Sequence, residues 1–298
     1  MNDQPVLQQL TEDVWAYIQP DGGWMINNMG LIARPDGLTS VDVTSTERRT
    51  RDYLDAVEVA TGGPVQRVIL THAHPDHCNG ASLLPEAEII AHRGVAEELR
   101  APHALAPHLF TPFDQGAVRP RLPTVVFNES VTIAPGDRPI EVRHPGMTAH
   151  TSGDAYVWLP TERVLFTGDL VFNGGTPFAL SGSLHGWQQA LDGIAALEPA
   201  VVVPGHGPVG GPEVLEPVRT YLSFVTEAAA DADKRGLDPL EAARALDLGP
   251  FADWPERERI VGNLHRALAE LRGTEVDIPA AWQDMYEYNG GAPLDCHA

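Results

Sequence analysis

The chain has 298 residues, 43% of them hydrophobic, enough to bury a sizeable core as one large domain or two small ones. Its 20 basic against 41 acidic side chains give a formal charge of −21, which excludes a nucleic-acid groove because that needs Lys and Arg to neutralise phosphates. Two cysteines, Cys78 and Cys296, are too few for a disulfide framework, and no apolar leader or run of about 18 apolar residues appears, so the sequence predicts a soluble, cytoplasmic protein with no membrane partner.

In chain order, strands come first. Residues 14–18 are rich in aromatic and β-branched side chains. Residues 20–23 break the run, an extended pattern resumes over 24–33, and 38–43 form another strand with Asp42 near its end. Residues 44–60 read as a helix stopped by Gly62-Gly63-Pro64. Its Arg48, Arg49 and Arg51 suit a solvated face, with an acidic partner as the alternative. A strand over 65–70, a short helix, a strand over 88–91 and another helix follow. Strands alternating with helices predict an α/β sandwich. Residues 101–124 form an irregular, Pro-rich stretch, and its His103 and His108 are left out of any metal site because neither follows a strand. Strands return at 125–127, 131–133, 140–143, 156–159, 164–167 and 200–203, with a loop over 171–183 and a helix over 184–197. From residue 212 the pattern is helical, over 214–231, 239–246 and 256–271. The predicted organisation is a catalytic domain over residues 1–210 and a helical C-terminal extension over 211–298 packed on it.

Chemistry concentrates in Thr71-His72-Ala73-His74-Pro75-Asp76-His77, directly after the apolar run Val68-Ile69-Leu70. Alternation along an extended segment predicts residues 72, 74 and 76 on one face, with His77 reached through the turn signalled by Asn79-Gly80. His150, Asp169 and His206 recur in the same context, each a polar ligand at or just beyond a strand end. Surface or capping histidines are the plain alternative, and they do not account for that recurrence. Imidazole and carboxylate ligands suit zinc, and three protein ligands leave a position open for water. Seven ligands exceed one tetrahedral site, so two zinc ions are expected. His72, His74 and His150 would hold one, Asp76, His77 and His206 the other, with Asp169 between them. Such a pair makes hydroxide at neutral pH and polarises a carbonyl, and gives Asp76 and Asp169 catalytic roles. Cys78 reads as a packed thiol rather than an eighth ligand.

This set resembles the metallo-β-lactamase superfamily, through His72-Ala73-His74-Pro75-Asp76-His77, Ala149-His150-Thr151-Ser152-Gly153, Gly168-Asp169 and Gly205-His206-Gly207 in that order. The resemblance implies an αββα sandwich with two zinc ions at one edge. Asp42 matches the family's early strand-end aspartate, which supports the ligands from behind. Asp169 resembles the hydrolase branch of glyoxalase II and lactonases. His74 stands where flavodoxin-linked di-iron oxidoreductases place a glutamate, which favours zinc, a mononuclear iron oxidoreductase being the alternative.

Four further segments, Thr176-Pro177-Phe178-Ala179-Leu180, Pro204-Gly205-His206-Gly207-Pro208-Val209, Asn263-Leu264-His265-Arg266-Ala267 and Tyr288-Asn289-Gly290-Gly291, resemble the metal-dependent second-ring cyclase/thioesterases of bacterial aromatic polyketide pathways, actinorhodin type. That likeness implies aldol closure of a second ring, then hydrolysis of the thioester joining the product to an acyl carrier protein. A general hydrolase of thioesters, lactones or β-lactams is the alternative. An aromatic substrate wants an apolar wall, for which Trp24, Met25, Phe172, Phe178 and Trp187 are the candidates, each equally at home in a core. His265 and Arg266 are expected to face solvent or pack on the sandwich. A carrier partner is itself acidic, so Arg48, Arg49, Arg51, Arg119 and Arg121 are the candidates for a basic patch offsetting the repulsion.

Overall fold

Two sheets stack face to face, each covered on its outer side by helices. The computed structural model describes residues 4–298 except 21, 102–107 and 135. The first sheet runs in sequence order through β1 (Val6–Thr11), β2 (Val14–Ile18), β3 (Met29–Arg34), β4 (Gly37–Val41), β5 (Val65–Leu70), β6 (Glu88–His92) and β7 (Val125–Phe127). It is antiparallel as far as β4 and parallel from there to β7. The second contains β8 (Ser130–Ile133), β9 (Ile140–Arg143), β10 (Tyr156–Leu159), β11 (Val164–Phe166) and β12 (Val201–Val203), in the order β12-β11-β10-β9-β8, with only β11 and β12 parallel.

The side-chain period of two explains the layers. In β5, Ile69 points between the sheets, towards Val142, Val157 and Phe166, while Val68 and Leu70 point outwards to a second core. In β10, Val157 and Leu159 fill the inter-sheet core while Tyr156 and Trp158 face the opposite helical layer. Central strands buried on both faces therefore read as continuous apolar runs. The outer helices of the first sheet are α1 (Glu47–Thr61) and α3 (Arg93–Arg100), which contribute Tyr53, Val57, Val95 and Leu99. Thr46 caps α1 by accepting from the Arg49 backbone N–H, and Gly62 ends it in the left-handed conformation, φ 71°. Between β5 and β6 lies the short α2 (Pro75–Cys78).

The second sheet is covered by α4 (Leu184–Ala195), α5 (Leu215–Arg235), α6 (Pro239–Ala245), α7 (Arg259–Arg272) and α8 (Ile278–Tyr288). Trp187 and Leu191 of α4, Val218 and Leu222 of α5 and Leu264 and Leu268 of α7 share one continuous core with Leu165 and Val202 of the sheet. No helix among the described residues is long and apolar enough to cross a membrane.

Several expectations need correction. β1 and α8 are elements the sequence reading lacks. β1 is a largely solvent-facing edge strand whose Gln8 and Gln9 hide the alternation, and it exists through pairing to β2. The extended pattern over 24–33 is cut at its start, because Met25 takes φ 66° and only Met29–Arg34 is strand. The strand expected over 38–43 stops at Val41, since Asp42 turns the chain at φ 60°. Residues 72–76 are not one extended segment. Pro75 opens α2, so Asp76 and His77 sit on a helical turn after the loop that carries His72 and His74. His103 lies outside the described residues.

Candidate metal centre

All seven expected ligands meet at one edge of the sandwich. His72 and His74 follow β5, Asp76 and His77 start α2, His150 sits in the loop between β9 and β10, Asp169 follows β11, and His206 follows β12. Three of these segments, those after β5, β11 and β12, leave the carboxyl ends of parallel-paired strands, the usual place for a site in such sheets.

Asp169 stands at the centre. Its Oδ2 is 3.8 Å from His72 Nε2 and 3.4 Å from His150 Nε2, while its Oδ1 is 3.1 Å from His77 Nε2 and 3.3 Å from His206 Nε2. Asp76 Oδ2 closes the second group at 3.4 Å from His206 Nε2 and 3.6 Å from His77 Nε2. His74 turns Nδ1 inwards, 2.9 Å from His150 Nε2. Ligand atoms of His72, His74, His150 and Asp169 fall within 4.8 Å of one another, and so do those of Asp76, His77 and His206.

The other ring nitrogens of His72, His77, His150 and His206 are tied down, which fixes ring orientation and presents the inner nitrogen. His77 Nδ1 donates to Asp42 Oδ2 (2.8 Å), His150 Nδ1 to the Phe178 carbonyl (2.8 Å) and His206 Nδ1 to the Gly22 carbonyl (3.0 Å). His72 Nδ1 lies 3.1 Å from the Thr71 hydroxyl, which itself donates to Asp42 Oδ2 at 2.7 Å. Asp42 also accepts from the Thr71 backbone N–H at 2.7 Å, so one buried carboxylate braces two ligand histidines. Gly205 has to be glycine, because a Cβ there would lie 2.0 Å from Asp169 Oδ1.

These residues fit a pair of cations. His72 Nε2, His77 Nε2 and Asp169 Oδ1 are buried with no hydrogen-bond partner among the described residues, a costly arrangement unless something else binds them. The electrostatics agree. Burial would lower the pKa of His77 and His206, yet the Asp169 and Asp76 carboxylates outweigh it, raising His77 well above its usual range and His206 to about 9. Burial wins at His72 and His150, pushing His150 down to about 3. Burial also opposes ionisation of Asp76 and Asp169, but the neighbouring imidazoles keep Asp76 at about 2 and Asp169 well below its usual range. Protons on two imidazoles thus take the place of positive charge that the carboxylates demand.

Above the cluster opens a cavity of about 570 Å³. His74, Asp76, His150, Asp169 and His206 form its floor, and Trp24, Met25, Phe172 and Phe178 line its walls. Phe172 stacks on His206, with ring centroids 5.0 Å apart at an interplanar angle of 3°. Trp187 is elsewhere. It is fully buried behind His150, centroids 5.2 Å apart, with its indole N–H donated to the Leu170 carbonyl. Its place between α4 and the sheet makes it core rather than wall.

Sequence reasoning missed Phe110, Trp282, Arg259 and Asp154. Trp24, Phe110, Phe178 and Trp282 form one aromatic cluster, with centroid separations of 5.1 to 5.8 Å. Trp282 rides on α8, for which Asp277 as cap and Pro279 in the first turn were an available start signal. Asp154 accepts from the Thr151 backbone N–H and hydroxyl and so shapes the loop that presents His150. Burial pushes its pKa up to about 7 against those donors.

One face of α7 staples the loop bearing Phe178. Arg259 donates to the Thr176 carbonyl, Asn263 to the Pro177 carbonyl and Arg266 to the Leu180 carbonyl, while Asn263 Oδ1 accepts from the Ala179 N–H. Arg266 therefore packs inwards on this loop and lines the cavity; His265 pairs with Asp284 at 2.8 Å. Cys78 is a buried thiol directed at the Ala73 carbonyl. His108 lies by the Tyr286 ring, centroids 5.4 Å apart, outside both ligand groups.

Fold and site together define a metallohydrolase class: two stacked sheets, helices outside, and a buried His/Asp cluster at the carboxyl edge. The chain belongs to the metallo-beta-lactamase superfamily, whose sequence pattern matches residues 22–206, more than half of its length. Members of this superfamily are usually metal-dependent hydrolases with two zinc ions. The chain is similar to a metallo-beta-lactamase type 2 from Bacillus cereus, 27% identical over 68% of this chain and 77% of the relative. It is 30% identical to a hydroxyacylglutathione hydrolase from Synechococcus sp. (strain CC9605), over 46% of this chain and 49% of that one. Among solved structures, a metallo-beta-lactamase from Pontibacter korlensis superposes with a TM-score of 0.61, covering 74% of this chain and 99% of its own at 21% identity. That last likeness concerns the fold.

Proposed function

We propose that this protein is a dinuclear zinc cyclase/thioesterase: it closes the second ring of an aromatic polyketide by aldol condensation and hydrolyses the thioester that holds the product. One observation carries the reading. The cavity over the His/Asp floor is walled by Trp24, Phe110, Phe172, Phe178 and Trp282, a shape and chemistry suited to a flat, partly aromatic substrate. The sequence resemblance of the Phe178 loop and the Asn263 segment supports it, because these two segments are joined by direct hydrogen bonds at that wall.

Each residue has work in this scheme. His72, His74 and His150 would hold one zinc, Asp76, His77 and His206 the other, with Asp169 shared. Zinc bound there supplies a Lewis acid for the carbonyl and water of lowered pKa. Asp42, Thr71 and the Phe178 and Gly22 carbonyls orient four of the imidazoles so that each inner nitrogen would turn its lone pair to a bound cation in place of a proton. Asp169 and Asp76 stay ionised against burial, which keeps both carboxylates available to hold the cations. The aromatic wall excludes water and orients the chain so that the methylene and ketone to be joined lie together.

A plain hydrolase of thioesters, lactones or β-lactams is the second reading, and the relatives named as lactamases and as a hydroxyacylglutathione hydrolase favour it. Substrate bulk separates the two. The expected result is a kcat/KM for a monocyclic polyketide thioester at least about a hundredfold above that for acetyl or butyryl thioesters. Equal values would support the plain hydrolase. We include an acyl carrier protein as the substrate's bearer. Two of the arginines expected to attract it are matched locally, Arg48 by Asp52 at 3.6 Å and Arg51 by Glu47 at 2.7 Å, and Arg121 is spent on the Leu84 and Pro85 carbonyls.

A further inference from the structure

Arg259 opens α7 with only 2% of its surface exposed, yet it lines the cavity. A buried guanidinium has five N–H donors to satisfy. One terminal nitrogen donates to the Thr176 carbonyl at 2.8 Å, and the other lies 2.8 Å from Glu256 Oε2. Nε has no partner among the described residues. The guanidinium carbon lies 4.1 Å from the Trp24 ring centroid and 5.4 Å from that of Phe172, so the group is held over aromatic faces. Glu256, which anchors it, takes φ 57°, a left-handed conformation that a non-glycine residue rarely adopts and that tends to persist where function demands it. Trp24 is fixed in turn by its indole N–H, donated to Glu258 at 2.7 Å.

The position is as telling as the spare donor. Phe172 is shared by Arg259 and His206, its ring centroid lying 5.4 Å from the guanidinium carbon and 5.0 Å from the imidazole centroid, so the guanidinium stands close to the floor. The cavity is also polarised. Glu97 and Glu98 line the α3 side, whereas Arg259 and Arg266 line the α7 side. A flat substrate whose reacting carbonyl rests on the floor would bring an oxygen of its ring system to the α7 side.

We infer that Arg259 forms an oxyanion subsite that binds an enolate or phenolate oxygen of the substrate, through its free N–H and its positive charge, and so fixes which way round the ring system enters. This rests on the aromatic-polyketide reading. Arg259 is a specificity-determining residue here and takes no part in bond making.

Binding tests it without turnover. The zinc-loaded full chain is titrated with 2-hydroxy-1,4-naphthoquinone, a bicyclic enolate at neutral pH, and with its 2-methoxy ether, which has the same shape without the charge. Wild type is expected to bind the enolate about tenfold or more tightly than the ether. In Arg259→Gln that preference falls to near unity while affinity for the ether changes little. Arg259→Lys keeps the charge without the planar fork and retains part of the preference; it carries the test if the Gln variant does not fold. A full preference surviving in the folded variants overturns the subsite, and the zinc ions, which an enolate can also approach, then account for the discrimination. The polyketide reading fails differently: a wild-type protein that binds neither bicyclic ligand removes reading and subsite together.

Discussion

The floor and the far wall of the cavity are built on different principles. The floor comes from short segments leaving strand ends of both sheets, and four of its five histidines are braced by a residue behind them, as Asp42 and Thr71 brace His77 and His72. The wall comes from α7, α8 and the loop that α7 holds in place, with rings packed on rings and one arginine among them. The floor falls within the region that matches the superfamily, residues 22–206, whereas the wall joins Trp24, Phe110, Phe172 and Phe178 from that region to Arg259 and Trp282 from beyond it. Floor and wall are thus separate sets of side chains facing one cavity. Changes to the floor should abolish reaction with every substrate, and changes to the wall should alter which substrate reacts.

The largest effect is expected at Gly205. Replacing it by Ala places a Cβ 2.0 Å from Asp169 Oδ1, so the shared carboxylate must move. Elemental analysis should show zinc falling from two per chain to one or none, as in Asp169→Ala, and turnover of all thioesters should fall at least about a thousandfold. Full zinc and activity in Gly205→Ala would show that the centre tolerates movement the account forbids. Next is Asp42→Asn. Asn tolerates the left-handed backbone at this position but cannot accept from both Thr71 and His77 as the carboxylate does. Competition with a chelator should show zinc held about 10 to 100 times more weakly.

The wall should respond otherwise. Trp282→Ala removes one ring of the aromatic cluster and touches no ligand. It should cost about tenfold in kcat/KM for an aromatic thioester and leave short acyl thioesters and zinc content unchanged. An equal loss on both substrates would merge the two regions into one.

The smallest effect is a pH dependence on the floor's side of the molecule. His92 and His144 stack at 4.0 Å, and His144 Nδ1 donates to the carbonyl of Asp154, whose side chain shapes the His150 loop. Burial, with the charge of His144 behind it, lowers the His92 pKa from 6.5, and its Nδ1 accepts from the Gly94 N–H as a neutral ring does. A depressed folded pKa means that the unfolded chain takes up the proton first, so this contribution is present above pH 6.5 and is lost as pH falls below it. The thermal midpoint of the zinc-loaded protein should drop on acidification from that point. His92→Asn, which preserves the cap on α3, should flatten the drop; an unchanged slope would locate the acid sensitivity elsewhere.

The same division decides what the sequence discloses. The floor is legible because three of its ligands, His72, Asp169 and His206, follow strands that end in continuous apolar runs and so announce themselves by position. Even there, the reading of 72, 74 and 76 on one extended face fails, because Pro75 starts a helical turn and brings Asp76 and His77 round from another direction. The wall is illegible for a physical reason. Phe110, Arg259 and Trp282 are far apart in the chain and become neighbours only through tertiary packing. Trp187 shows the converse error: proximity to Asp169 in sequence suggested the cavity, but α4 turns the ring into the core behind His150.

The most direct test is mass spectrometry of the products formed when zinc-loaded protein meets a polyketide thioester with one aromatic ring closed and a second still open. The expected product is a free bicyclic acid, one water lighter than simple hydrolysis would give, because aldol closure with aromatisation expels water. Release of the uncyclised acid, or recovery of the thioester intact, would contradict the cyclase assignment and leave a metallo-beta-lactamase-fold hydrolase with another substrate.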